Sequence, residues 1–170
     1  MFGYDFFIAL SIFINPEQSL DLIIPPICEL PSLRILYIRI SYKVDADILA
    51  IMLGYYLTFV ECLYLDAYIN LSSFEYFTNN CKSNLINWNI NIQVDDSFRA
   101  NHLRCVDDFQ KVHNSLNVLG ITPCDPWTDK ELEIICSLEN QGVNVTSIYK
   151  NHEYFSILYV NFDNLHTVII

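Results

Sequence analysis

Along this chain one arrangement of apolar positions recurs at wide intervals: an apolar residue, two of any kind, an apolar residue, one of any kind, then a third apolar residue. It occurs as Phe7, Leu10, Ile12; as Leu33, Leu36, Ile38; as Val60, Leu63, Leu65; as Leu85, Trp88, Ile90; and as Leu116, Leu119, Ile121. The last two positions of each unit are two residues apart, and an extended strand points such residues to the same side. Each unit therefore predicts a short strand with one side turned to a core and the other turned away. Successive starts lie 25 to 31 residues apart, a period that marks repeat architectures.

Between these strands the apolar spacing becomes helical. Ile48, Leu49, Met52 and Leu53, then Phe74 and Phe77, then Leu103, Val106, Phe109 and Val112, then Leu132, Ile135 and Cys136 each form one stripe of a predicted helix. Two starts carry capping boxes, Ser72 to Glu75 and Thr128 to Glu131, in which hydroxyl and carboxylate each satisfy an otherwise unpaired backbone N–H. The acidic pairs Asp45/Asp47 and Asp107/Asp108 are placed at or near helix starts, where carboxylates favour the positive end of the helix dipole. The fourth unit holds an insertion around Asp95 to His102. Units this short cannot stand alone and must bury their stripes against their neighbours. The fold class is thus α/β, a curved stack with a parallel sheet on its concave face and helices on its convex face. After Ile135 the register blurs. Val145 and Ile148 begin a candidate sixth strand, and Phe155, Leu158 and Val160 repeat the spacing, so residues 142–170 are expected to be irregular.

The most regular unit reads Leu116, Leu119, Ile121, Cys124, Trp127-Thr128-Asp129, Leu132, Ile135. It resembles the cysteine-containing leucine-rich repeats of ribonuclease-inhibitor-like and F-box proteins. Leu33, Leu36, Ile38, Ser41, Val44-Asp45, Leu49 and Met52 keep the same register with Ser in the Cys position, which Asn15, Tyr68 and Gln93 occupy in the other units. The resemblance implies a right-handed leucine-rich-repeat solenoid of about five units, spanning residues 1–170 as a single domain. It also implies a protein-binding module, the substrate-recognition repeats of an F-box type ubiquitin-ligase adaptor. Cys124 would then be a small buried side chain turning the chain out of its strand. An F-box would precede the repeats and has no room before Phe7, so the chain is expected to be part of a longer array, a truncated gene product or half of an oligomer.

Charge narrows the partners. The formal net charge is −11, from 20 acidic against 9 basic residues, and charged residues are only 17% of a chain that is 52% hydrophobic. Such a balance repels phosphate backbones and anionic membranes, and no Lys/Arg cluster reverses it locally. A protein partner is expected, with neither nucleic acid nor membrane. The six cysteines lie far apart, with no C-x-x-C pair, which reads as reduced, mostly buried thiols of a cytoplasmic or nuclear protein. Phe6 to Ile14 is too short to span a bilayer and lacks the basic flank of a signal peptide. The sequons at Asn70 and Asn144 are chance matches in a chain rich in Asn, Ser and Thr.

No catalytic constellation emerges. His102, His113, His152 and His166 lie on separate segments, no serine sits in a nucleophile elbow, and four glycines form no phosphate-binding loop. No catalytic residue, metal ligand or cofactor is expected, and Trp88 and Trp127 are placed in the core. The candidate site is the outward side of the strands, where Tyr37, Arg39, Tyr64, Asp66, Asn89, Asn91 and Thr122 would face a partner. Tyrosine and arginine are the residue types of binding hot spots. Tyr37 and Tyr64 on neighbouring strands would form an aromatic patch flanked by Arg39 and Asp66; the alternative is ordinary cross-strand packing. Two other functional classes stay open, a small α/β enzyme with helices on both sides of its sheet, and a non-functional piece of a larger repeat protein.

Overall fold

A computed structural model describes residues 8–14, 19–40, 43–91, 96–122 and 126–147. Strands and helices alternate: β1 (Ile8–Ile14), α1 (Leu20–Cys28), β2 (Leu33–Ile40), α2 (Lys43–Tyr56), β3 (Cys62–Asp66), α3 (Leu71–Asn80), β4 (Asn87–Asn91), α4 (Asp96–His113), β5 (Val118–Ile121), α5 (Asp129–Asn140) and β6 (Asn144–Ser147). The six strands form one sheet in the order of the sequence, and every neighbouring pair is parallel. The chain is an α/β protein.

The observed register is the one the apolar pattern sets. Leu10, Leu36, Leu63, Trp88, Leu119 and Val145 stand side by side across the sheet, and Ile12, Ile38, Leu65, Ile90 and Ile121 form the next row. From β2 to β5 both rows are buried. Each such aliphatic side chain contributes about 1.5–3 kcal/mol relative to an exposed one. A one-residue slip would turn a whole row to the other side, which holds the register. Phe7 lies outside the described residues, and β1 carries an irregularity at Ile8/Ala9 that sets Ile8 opposite Leu33. β6 lies where a sixth strand was expected but in another register: Val145 pairs with Leu119 and Ser147 with Ile121, so Val145 takes the second core position of its unit and not the first; Ile148 and the apolar residues from Phe155 to Val160 lie outside the described residues.

Each helix packs on the next, from α1 on α2 to α4 on α5, and their buried side chains join the two strand rows in one core. The helices thus line the side to which Leu36, Leu63, Trp88 and Leu119 point. Trp88 fills the centre, stacked on Phe74 at 5.7 Å between centroids and edge-on to Phe77 at 5.3 Å and Phe109 at 5.6 Å. Trp127 is half-buried against the same core. Gly54 lets α2 approach α3, since a Cβ there would stand 3.0 Å from the Phe77 Cα.

Several helical details differ from the pattern reading. α1 has no counterpart among the predicted stripes; Pro25 and Pro26 sit inside it and each removes a helical hydrogen bond, a loss that burial of Leu20, Ile24 and Cys28 on one stripe outweighs. α3 starts earlier than the Ser72 box: Asn70 is its N-cap and accepts from the Ser73 N–H at 2.9 Å. The Thr128 capping box on α5 forms as expected. The insertion before His102 lengthens α4 at its N-terminus, so Asp107 and Asp108 lie in the second half of the helix and not near its start. Asp47 serves the next helix, accepting from the backbone N–H and side-chain amide of Asn70; the side chain of Asp45 lies outside the described residues. Ile48, Val112, Leu132 and Cys136, all placed on apolar stripes, are exposed, because Leu49, Leu53, Phe109, Ile134 and Leu138 already fill the space beneath the helices.

Candidate functional site

The side of the sheet away from the helices presents three rows, generated by the same period that builds the core. Ala9, Ile35, Cys62, Asn87, Val118 and Asn144 form the first, and Ser11, Tyr37, Tyr64, Asn89, Gly120 and Thr146 the second. Phe13, Arg39, Asp66 and Asn91 form the third, and Thr122 continues it, its N–H donating to the Ile90 carbonyl at 3.1 Å. All seven candidate residues of the sequence reading therefore share one face.

The aromatic patch is present and larger than expected. Tyr37 lies 6.1 Å from Phe13 and 6.3 Å from Tyr64, centroid to centroid, within the range of favourable ring pairs. Phe13 is 54% exposed, a large apolar ring left open to solvent. Beside the rings runs a polar chain. Arg39 Nε lies 3.3 Å from Asp66 Oδ2, and the Asn91 side-chain amide donates to Asp66 Oδ1 at 2.6 Å. Arg39 and Asp66 were expected only as flanks of the patch; their pairing and the clamp from Asn91 follow from the parallel register, which brings residues 39, 66 and 91 together.

Neither Tyr64 nor Cys62 suits nucleophilic chemistry. Burial pushes the Tyr64 hydroxyl above its ordinary pKa, and the neighbouring Cys62 adds to the effect. Burial likewise raises Cys62, outweighing the hydrogen bond from Asn87 Nδ2 at 3.4 Å. Elsewhere, burial lifts Cys28 to about 12 and Cys81 and Cys105 to about 11, so these thiols stay protonated and unreactive. The cysteines are less uniformly buried than expected: Cys28 and Cys81 are buried, Cys62 and Cys105 half-buried and Cys136 exposed. Cys124, like Asn15, Ser41 and Gln93 at the equivalent repeat positions, lies outside the described residues. Among the described residues no group of three His, Cys, Asp or Glu side chains could hold a metal, and no helix is long and apolar enough to cross a membrane.

Two polar clusters escaped the sequence reading. Arg99 and Glu131 form a buried two-pronged ion pair between α4 and α5, side chains 2% and 0% exposed, with Arg99 Nη2 donating to Glu131 Oε2 at 2.9 Å. The same Oε2 accepts from the Thr128 N–H at 2.7 Å and hydroxyl at 2.9 Å, and the Arg99 guanidinium lies 5.2 Å from the Trp127 ring centre. Burial pushes the Glu131 carboxyl up, but the bonds from Arg99 and Thr128 outweigh it and hold the pKa below the usual carboxylate value. The Thr128-to-Glu131 box was the one signal of this site in the sequence. The second cluster borders an open depression of about 660 Å³ between α4 and α5. There Asp107 accepts from Ser137 at 2.9 Å and from Gln141 at 2.7 Å, with Lys111 Nζ 2.6 Å away. Comparison of the chain with family models, with curated proteins and with solved structures finds no match.

Proposed function

We propose that this chain is a protein-binding module built as a right-handed leucine-rich-repeat solenoid, and that its sheet face is the concave surface that receives the partner. The carrying observation is the shared face: an aromatic shelf of Phe13, Tyr37 and Tyr64 beside the clamped Arg39, none of it used by the core. Aromatic and arginine side chains concentrate binding energy at protein interfaces. Helices along one side of the sheet support a stack of repeats over a two-sided α/β enzyme, in which convergent polar groups would gather at the strand ends. Placement among F-box type substrate-recognition repeats rests on the resemblance of the Leu33 and Leu116 units alone, and the protein-binding reading stands without it.

The test is capture of partner proteins on immobilised chain from a cellular extract. The double variant Tyr37→Ala/Tyr64→Ala is expected to lose most of the captured protein while its thermal midpoint falls by only a few degrees. Equal capture by a folded double variant removes the face from the function.

A further inference from the structure

Along β4 the outward positions are Asn87, Asn89 and Asn91, three side-chain amides at alternate residues and therefore about 7 Å apart. That spacing is the two-residue repeat of any extended polypeptide. A side-chain amide both donates and accepts, so it can bond to the backbone C=O and N–H of a strand laid beside it whatever that strand's sequence. Asn87 and Asn91 each spend one N–H on a neighbour, Cys62 Sγ and Asp66 Oδ1, which fixes their orientation and leaves their oxygens as acceptors.

The flanks of this ladder differ. On one side the register sets Tyr64 and then Tyr37 beside Asn89, a flat shelf for a large apolar side chain. On the other it sets Gly120, which is buried, and then Thr146, so the apolar shelf lies on the tyrosine side alone. Across all three rows only Arg39 and Asp66 are charged, and they pair with each other. These rows therefore add nothing to the net charge of −11. Exposed Glu29, Glu75, Asp108, Asp129, Glu133 and Glu139 hold part of it on the helical side and its turns. A cationic partner is steered to such a molecule, while the contact itself is uncharged.

We infer that the face takes an extended segment of a cationic protein, laid along β4 with its backbone on Asn87, Asn89 and Asn91 and an aromatic or aliphatic side chain on Tyr64 and Tyr37. This rests on the protein-binding reading of the face and adds the form and charge of the occupant.

A random short-peptide library displayed on phage, selected on the full chain at low salt, tests it. Recovered peptides should share one large apolar residue and a net positive charge, and as synthetic peptides should bind about tenfold more weakly to Asn89→Ala and to Tyr37→Ala/Tyr64→Ala. Their association rates should fall several-fold as salt rises to about 0.3 M. Unfolding curves should show that Asn89→Ala keeps its structure. Binders that depend on the tyrosines yet are neutral or acidic, or ignore Asn89→Ala, overturn this inference and leave the protein-binding face standing. Recovery of no peptide also overturns it and leaves a folded partner for the face. Binders indifferent to the tyrosines overturn the face itself.

Discussion

Two arginine–carboxylate pairs in this molecule share their chemistry and differ in their surroundings. Arg39 and Asp66 meet on the open face, with side chains 56% and 27% exposed, whereas Arg99 and Glu131 meet in the interior between α4 and α5. In water the attraction is screened and the two long side chains lose rotamer freedom, so an exposed pair is worth at most about 1 kcal/mol. In the interior each charge has surrendered its hydration, and removing one partner strands the other, at a cost of about 3–5 kcal/mol. The exposed pair is therefore free to serve recognition, while the buried pair is committed to the fold. Its extra bonds suit that commitment: Glu131 joins α5's own cap to α4 through Thr128 and Arg99.

The sharpest way to break this contrast is Arg99→Ala. Denaturant unfolding should show a loss of about 3–5 kcal/mol, and a loss under about 1 kcal/mol would place the two pairs in one class. The double variant Arg99→Met/Glu131→Leu removes both charges and should recover much of that loss, short of the cap contributed by Glu131, about 1 kcal/mol.

Acid titration gives the second comparison. The Glu131 carboxyl has its pKa held below the ordinary value of 4.5, so its contribution is complete above about that pH and fades as pH falls through the lower folded value. Thermal midpoints of the chain should drop on that acid limb, and Glu131→Gln should flatten the drop. An unchanged limb in the variant would assign the acid sensitivity to other carboxylates, of which Asp107 is the next. There burial pushes the pKa up, and the bonds from Lys111, Ser137 and Gln141 bring it net below normal.

An intermediate case is Asp47, which is half-buried and receives the Asn70 N–H at 2.8 Å across two helices. Asn70→Ala keeps that backbone bond but removes the side-chain amide bond to Asp47 and the α3 cap, for an expected loss of about 1 kcal/mol. A double-mutant cycle with Asp47→Ala should show coupling of a few tenths of a kcal/mol or more, between the two arginine pairs in size. The smallest effect is expected from Arg39→Ala and Asp66→Asn. Each should shift stability by less than about 1 kcal/mol, with the difference vanishing in high salt, and each should act mainly on partner binding.

The strands were readable because a two-residue period with one buried side admits a single phase. Leu36, Leu63, Trp88 and Leu119 announced the core row, and Tyr37, Tyr64, Asn89 and Gly120 then had to fall on the other side. All seven candidate site residues followed from that phase and the order of units. The helices were less readable. α1 had no predicted stripe, and its two prolines set local chemistry against a helix that burial of Ile24 and Cys28 sustains. The Ser72 box lost to Asn70 because Asp47, 23 residues away, holds that asparagine.

Period, phase and the apolar choice at each inward position are properties of neighbouring residues, and from them the chain's own order of letters fixes strands, register and the composition of the outer face. Contacts between residues far apart in the chain follow only once the units are stacked. Asn91 reaches Asp66 across 25 residues and Arg99 reaches Glu131 across 32. No local pattern marks such partners, because a polar side chain gains nothing from its own segment by being paired. Its pairing becomes obligatory only when neighbouring units close over it and remove the water.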